Sequence, residues 1–182
     1  IGPVKIILTC LIWMFSNEMW IKGQCPVLWD EGYKAFNYVR QPVTGAESDT
    51  WRSQGYTHEN TTGKMYGNRN PMPYYVEEVA QILNLKNCGF VFYKMDTLDI
   101  MPTHVDLYKT YCKVFKKKRN EVRRAIVFLE DWKPGHYFEV DGTAVANYRA
   151  GEYVLWSSEI PHAASNIGIE PRYTLQITGT YT

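Results

Sequence analysis

Histidine and cysteine are scarce in this chain. Of 182 residues only four are histidine and four are cysteine, and the cysteines, Cys10, Cys25, Cys88 and Cys112, never form a C-x-x-C pair. That spacing argues against a zinc ribbon and a redox dithiol, and it suits a reduced, cytoplasmic protein. A charge surplus is also missing, since 20 basic residues face 19 acidic ones and leave a formal net charge of +1. Neither nucleic acid nor a membrane surface is therefore expected as the main partner, which leaves a small-molecule or peptidyl substrate. No internal repeat is evident. The apolar run from Ile6 to Phe15 is too short to span a bilayer and has no clear small-residue cleavage site. Being rich in β-branched and aromatic residues, it reads as a buried strand rather than a signal peptide.

Aromatic residues, by contrast, reach 15%, with 13 glycines and 9 prolines as punctuation. Such a composition favours sheet over helix bundle, and the length suits a single domain over residues 1–182. In the N-terminal part, residues 1–89, Tyr33, Phe36 and Val39 sit at near-helical spacing behind Asp30 and Glu31, which predicts a short helix over 30–40. Residues 41–72 are polar and rich in Gly and Asn, and read as a long loop or several short turns, either overlying a site or serving as a plain surface connection. Pro73 at the start and Gly89 past the end frame a helix over 73–85. After Gly89 the texture changes. Strands are expected at 90–95, 98–103, 123–130, 136–141, 144–149, 152–157, 160–166 and 171–180. Eight short strands separated by turn signals such as Asp141-Gly142 predict a mainly β jelly roll over 90–182, with the helices on the outer face of one sheet. The run Lys116-Lys-Lys-Arg119, with Arg123 and Arg124 soon after, reads as a solvated loop.

With four histidines the candidates can be weighed one by one. His104 and Asp106 lie two apart at a strand end, where the period of two turns both side chains to one side, able to chelate one ion. His162 follows 56 residues after Asp106, enough chain for the barrel to return beside the first pair. Two imidazoles and a carboxylate occupy one face of a divalent iron and leave the other open. His136 is the rival third ligand, but no arginine follows it at a matching distance, whereas Arg172 lies ten residues after His162. His58, in the polar segment, reads as solvent-facing. Arg172, Thr174 and Gln176 alternate with Tyr173, Leu175 and Ile177, so the polar set shares one face of the last strand. An inward arginine needs an anion, because a buried unpaired charge costs several kcal/mol. A dicarboxylate would supply one, with Thr174, and Tyr93 or Tyr111, as candidate hydroxyl donors to it.

Taken together, His104-x-Asp106, His162 and Arg172-x-Thr174 make this sequence resemble the iron(II)- and 2-oxoglutarate-dependent dioxygenases, with residues 90–182 similar to their cupin-like double-stranded β-helix core. The segment Arg124–Trp132 is similar to a strand of the prolyl-hydroxylase-like members. The His162, Asn166, Arg172 arrangement also resembles the aspartyl/asparaginyl β-hydroxylase branch, which typically lacks the acidic ligand that Asp106 provides here. The resemblance implies Fe(II) held by His104, Asp106 and His162, 2-oxoglutarate gripped at its far carboxylate by Arg172, and O2 as oxidant. Hydroxylation of a C–H bond, with release of succinate and CO2, is the activity it implies. Two other readings differ in kind. A cupin-like metal protein that does not use 2-oxoglutarate needs no arginine at this offset. A non-catalytic ligand-binding jelly roll would use Trp132, Trp156 and the tyrosines as a stacking platform.

Overall fold

The computed structural model describes residues 19–42, 46–67 and 70–182, and the strand expected over Ile6–Phe15 lies outside the described residues. Three short strands come first, β1 (Trp20–Gln24), β2 (Val39–Arg40) and β3 (Lys64–Gly67), accompanied by helices α1 (Ala46–Ser53) and α2 (Tyr75–Ile82). They lead into β4 (Leu85–Met95), β5 (Ile100–His104), α3 (Lys109–Phe115), β6 (Val122–Phe128), β7 (His136–Val140), β8 (Thr143–Ala144), β9 (Glu152–Ser157), β10 (His162–Asn166) and β11 (Arg172–Tyr181). Two antiparallel sheets face each other. One has the order β1-β9-β6-β11-β4-β3-β2 and the other β5-β10-β7-β8. This is a jelly-roll arrangement with helices added, as the strand spacing predicts.

Alternation along the strands divides the apolar residues into two cores. Tyr173, Leu175 and Ile177 of β11 face outward with Phe90 and Phe92 of β4 and Ala125 and Val127 of β6. Against this face lie Tyr75, Val76, Val79 and Ala80 of α2, so the helix covers the outside of the larger sheet. Burying each such valine contributes about 1.5–3 kcal/mol. Pro73 precedes α2, and Asn84, in the left-handed region at φ 58°, ends it. The second core lies between the sheets, where Ile126, Phe128, Val154 and Trp156 meet Phe138, Val140 and Ile160.

Several segments depart from the sequence pattern, each for a packing reason. The helix expected over 30–40 is only a 3-10 turn at Glu31–Ala35, capped by the Asp30 carboxylate accepting from Gly32 N at 2.8 Å. Phe36 then turns extended, which lets its ring stack on Tyr66 and meet Phe92 edge-on. Residues 41–72 are not one loop, because they contain α1 and β3, and β3 pairs with β4. The strand expected over 144–149 is confined to Thr143–Ala144. Asn147 at φ 55° breaks the extension, and the Tyr148 ring stacks at 3.6 Å on Phe128 instead. Lys116 does lie in an exposed turn, but Arg124 does not belong with it: its half-buried side chain turns into the space between the sheets and pairs with Asp106.

Candidate metal centre and the cavity behind it

Strand register brings the two histidines together. His162, the first residue of β10, lies directly opposite His104, the last residue of β5, so both side chains leave the same face. Their ring centroids are 4.3 Å apart. Asp106, two residues past the strand end, places Oδ1 3.7 Å from His104 Nε2 and Oδ2 3.7 Å from His162 Nε2. One donor atom from each of the three lies within 4.8 Å of the others, which suits a single metal ion. Backbone carbonyls fix both tautomers: His104 Nδ1 donates to Pro102 O at 2.8 Å and His162 Nδ1 to Ile160 O at 3.1 Å. Each Nε2 is thereby left with a lone pair turned toward Asp106.

The electrostatics suit a cation. Burial, reinforced by neighbouring His104, pulls His162 down to about 4, so it stays neutral near pH 7. Burial alone would raise the Asp106 carboxyl, but the Arg124 guanidinium, with help from the two imidazoles, holds it well below the usual carboxylate range. A neutral His162, the His104 ring beside it and an ionised carboxylate on one side of a space match a divalent first-row metal with open positions. His136 is excluded as a ligand, since its Nε2 lies 3.0 Å from Glu170 O and its Nδ1 3.4 Å from the Tyr148 hydroxyl. It is a hydrogen-bonded core histidine. His58 is exposed, as expected.

Behind the three residues a cavity of about 210 Å³ runs between the sheets, lined among others by Met65, Tyr93, Ile126, Phe138, Arg172 and Gln176. Arg172 is only 3% exposed. Its Nη1 lies 3.5 Å from the sulfur of Met95, and its guanidinium carbon sits 5.7 Å and 5.6 Å from the ring centres of Phe128 and Phe138. The Nε and Nη2 atoms are buried with no hydrogen-bond partner among the described residues. A cation kept in this state calls for an anionic partner beyond the described residues. Thr174 is buried on the same face of β11 between Arg172 and Gln176. Tyr93 lines the cavity from β4, opposite Thr174, and its hydroxyl accepts from Gly63 N.

Tyr111 requires a correction. It lies on α3 among Thr180, Cys88 and Cys112, and Thr180 is eight residues along β11 from Arg172, so Tyr111 is not at the cavity. The aromatic platform does not form from Trp156 either, which is 1% exposed and packs its ring 4.9 Å from His162. Three neighbours were not picked out from the sequence. Arg124 is held to Asp106, Tyr108 roofs Arg124 at 5.2 Å, and Trp51 of α1 meets the His104 ring edge-on at 5.8 Å. Arg124 does carry a sequence signal, because it shares the period-two face of Ile126 and Phe128. Trp51 also lines a second, outer cavity of about 350 Å³ with Pro42, Ser48, Tyr56 and Thr61.

No protein-family model matches this chain, and no curated protein matches it in sequence. Among solved structures it is similar to a prolyl-4-hydroxylase of Pseudomonas putida, with TM-score 0.54 and 16% identity over 91% of this chain and 94% of that one. The cupin domain of Schizosaccharomyces pombe Cnp3 matches at TM-score 0.40 and 11% identity, over 64% of each chain. A double-stranded β-helix protein of Klebsiella pneumoniae matches at 0.38 and 13%, over 54% of this chain and 72% of that one. The likeness to the prolyl-4-hydroxylase is one of fold, the two-sheet jelly roll with added helices described above.

Proposed function

We propose that this chain is a non-haem iron(II)- and 2-oxoglutarate-dependent oxygenase that hydroxylates a C–H bond of an amino-acid, peptidyl or small-metabolite substrate. The observation that carries the reading is the buried, unpartnered guanidinium of Arg172 in the same cavity as His104, Asp106 and His162. A cupin-like metal protein that ignores 2-oxoglutarate would need some other anion to pair with that charge.

Iron(II) bound by His104, Asp106 and His162 would supply oxygen activation, coupled to conversion of 2-oxoglutarate into succinate and CO2. The protein's own contribution is positional and electrostatic. The carbonyls that hold Nδ1 of His104 and His162 leave Nε2 of each ring for a metal, so binding requires no tautomer exchange, and His162 is already neutral near pH 7. Arg172 offers two free N–H groups to the distal carboxylate of 2-oxoglutarate, a charge-assisted contact worth about 1.5–3 kcal/mol per hydrogen bond. Phe128 and Phe138, packed side by side against one flank of the guanidinium, keep water from that flank, which strengthens the contact. Thr174, next along the same face, is the candidate second donor. The outer cavity beyond Trp51 lies beside His104 and is the proposed approach for the primary substrate.

The test is anaerobic addition of iron(II) and then 2-oxoglutarate. A weak visible charge-transfer band is expected in the wild-type protein. His162→Ala should abolish it, and Arg172→Ala should weaken 2-oxoglutarate binding while iron stays bound. A band unchanged in both variants, or none in the wild type, would overturn the assignment.

A further inference from the structure

Asp106 has a partner whose geometry does more than balance its charge. Arg124 extends from β6 into the space between the sheets and places Nη2 2.9 Å and Nε 3.2 Å from one and the same oxygen, Oδ2. Its remaining terminal nitrogen, Nη1, reaches Gln176 Oε1 at 3.5 Å. A carboxylate oxygen has two lone-pair sites, and two N–H donors take up both on Oδ2. Both oxygens face the centre, Oδ1 lying 3.7 Å from His104 Nε2 and Oδ2 3.7 Å from His162 Nε2, but only Oδ1 carries no guanidinium N–H. Above the guanidinium lies the Tyr108 ring, whose hydroxyl is buried beside Asp106 and Arg124. Tyr108 holds φ 52°, a left-handed backbone that is costly for an aromatic residue, just two residues after Asp106.

We propose that Arg124, roofed by Tyr108, is a positioning residue that restricts Asp106 to metal ligation through the single oxygen Oδ1. The inference rests on the metal centre proposed above and adds the denticity of its carboxylate. Carboxylates bind metals through one oxygen or two. A second oxygen would fill a position that a bidentate ligand needs. Arg124 prevents this by engaging Oδ2 from the protein side, and its bonded fork is a geometry that lysine cannot copy. The strained backbone at Tyr108 fits the same role, because it brings the ring over the guanidinium immediately after the ligand.

Cobalt(II) is a suitable probe, since its visible absorption weakens as coordination number rises. Wild-type protein, Arg124→Met and Arg124→Lys are each titrated with Co(II) under nitrogen, then with oxalate as a small bidentate ligand, with circular dichroism and thermal melting to check the fold. The expected result is Co(II) binding in all three, weaker visible bands in both variants, and oxalate affinity of the Co(II) form reduced about tenfold. Arg124→Lys keeps the charge, so it serves as the decisive variant if Arg124→Met does not fold. Identical bands and oxalate affinities in the wild type and Arg124→Lys would overturn the clamp while leaving the metal centre standing. A wild-type protein that binds no Co(II) would overturn the metal reading, and the clamp with it.

Discussion

Two arginines line one cavity, and their circumstances are opposite. Arg124, at the metal end, has its Nε and Nη2 on a carboxylate, Nη1 toward an amide oxygen and an aromatic ring above. Arg172, at the inner end, has two phenylalanine rings, a thioether and two N–H groups with no acceptor among the described residues. Arg172 is the more buried of the two, with Arg124 half-buried, so the side chain with less access to water is the one with fewer protein acceptors. A complete set of partners marks a group that holds part of the protein in place, whereas an incomplete one marks a group kept ready for a ligand. The contrast also runs through the histidines, since both ring nitrogens of His136 are taken while those of His104 and His162 keep one side open.

Substitutions can break this comparison, beginning with the partnered end. Asp106→Ala should cost about 1–3 kcal/mol in apo stability, because it takes the carboxylate from a half-buried Arg124. It should also reduce metal affinity by more than about 100-fold, beyond what losing an outer partner does, as calorimetric titration will show. Arg172→Met is expected to act in the reverse sense on stability. Removing a buried cation without a partner should raise apo stability by about 1–4 kcal/mol in urea melts, even as 2-oxoglutarate binding falls at least about tenfold.

pH sharpens the contrast among the histidines. His162 is pulled down from 6.5 to about 4, and burial lowers His136 as well, so the unfolded chain binds more protons than the folded one just below pH 6.5. Apo stability should therefore be full above pH 6.5 and fall as pH drops toward 4, by on the order of 3 kcal/mol for His162 alone. Urea midpoints from pH 8 to pH 4.5 will test this, and His136→Gln should reduce the slope. The smallest effect belongs to Tyr111→Phe. Its hydroxyl lies on α3, away from the cavity, so metal and 2-oxoglutarate affinities should stay within about twofold by the same titrations.

How much of this could be read beforehand depends on where each residue's stabilisation comes from. The strands after Gly89 declare themselves because one face of each is buried, and burial on a period of two leaves its mark in residue order, as in Arg172 to Ile177. The convergence of His104 and His162 also follows from strand return. Strands β1 and β3 leave no such mark, because they are short and owe their extension to β9 and β4, which they join edge to edge. Arg124 was grouped with the lysines near it in sequence, although the alternation Arg124, Ile126, Phe128 already turned it inward. Tyr111 shows the converse. An aromatic hydroxyl close in sequence to the ligands is not close in space once α3 has carried it to the far end of β11.

Asn166 sits at the foot of β10 and is fully buried. Its amide nitrogen donates to Met95 O at 3.0 Å and Glu170 O at 2.8 Å, and its oxygen accepts from Gly168 N at 2.9 Å. One side chain thus welds the end of β4, the β10–β11 turn and the end of β10, with His162 four residues up one strand, about 13 Å, and Arg172 just past the turn. The gap between imidazole and guanidinium is a calliper locked by that amide. On the proposed reading that spacing sets the length of dicarboxylate the cavity accepts, and Asn166→Ala should narrow the difference in affinity between five-carbon and four- or six-carbon diacids.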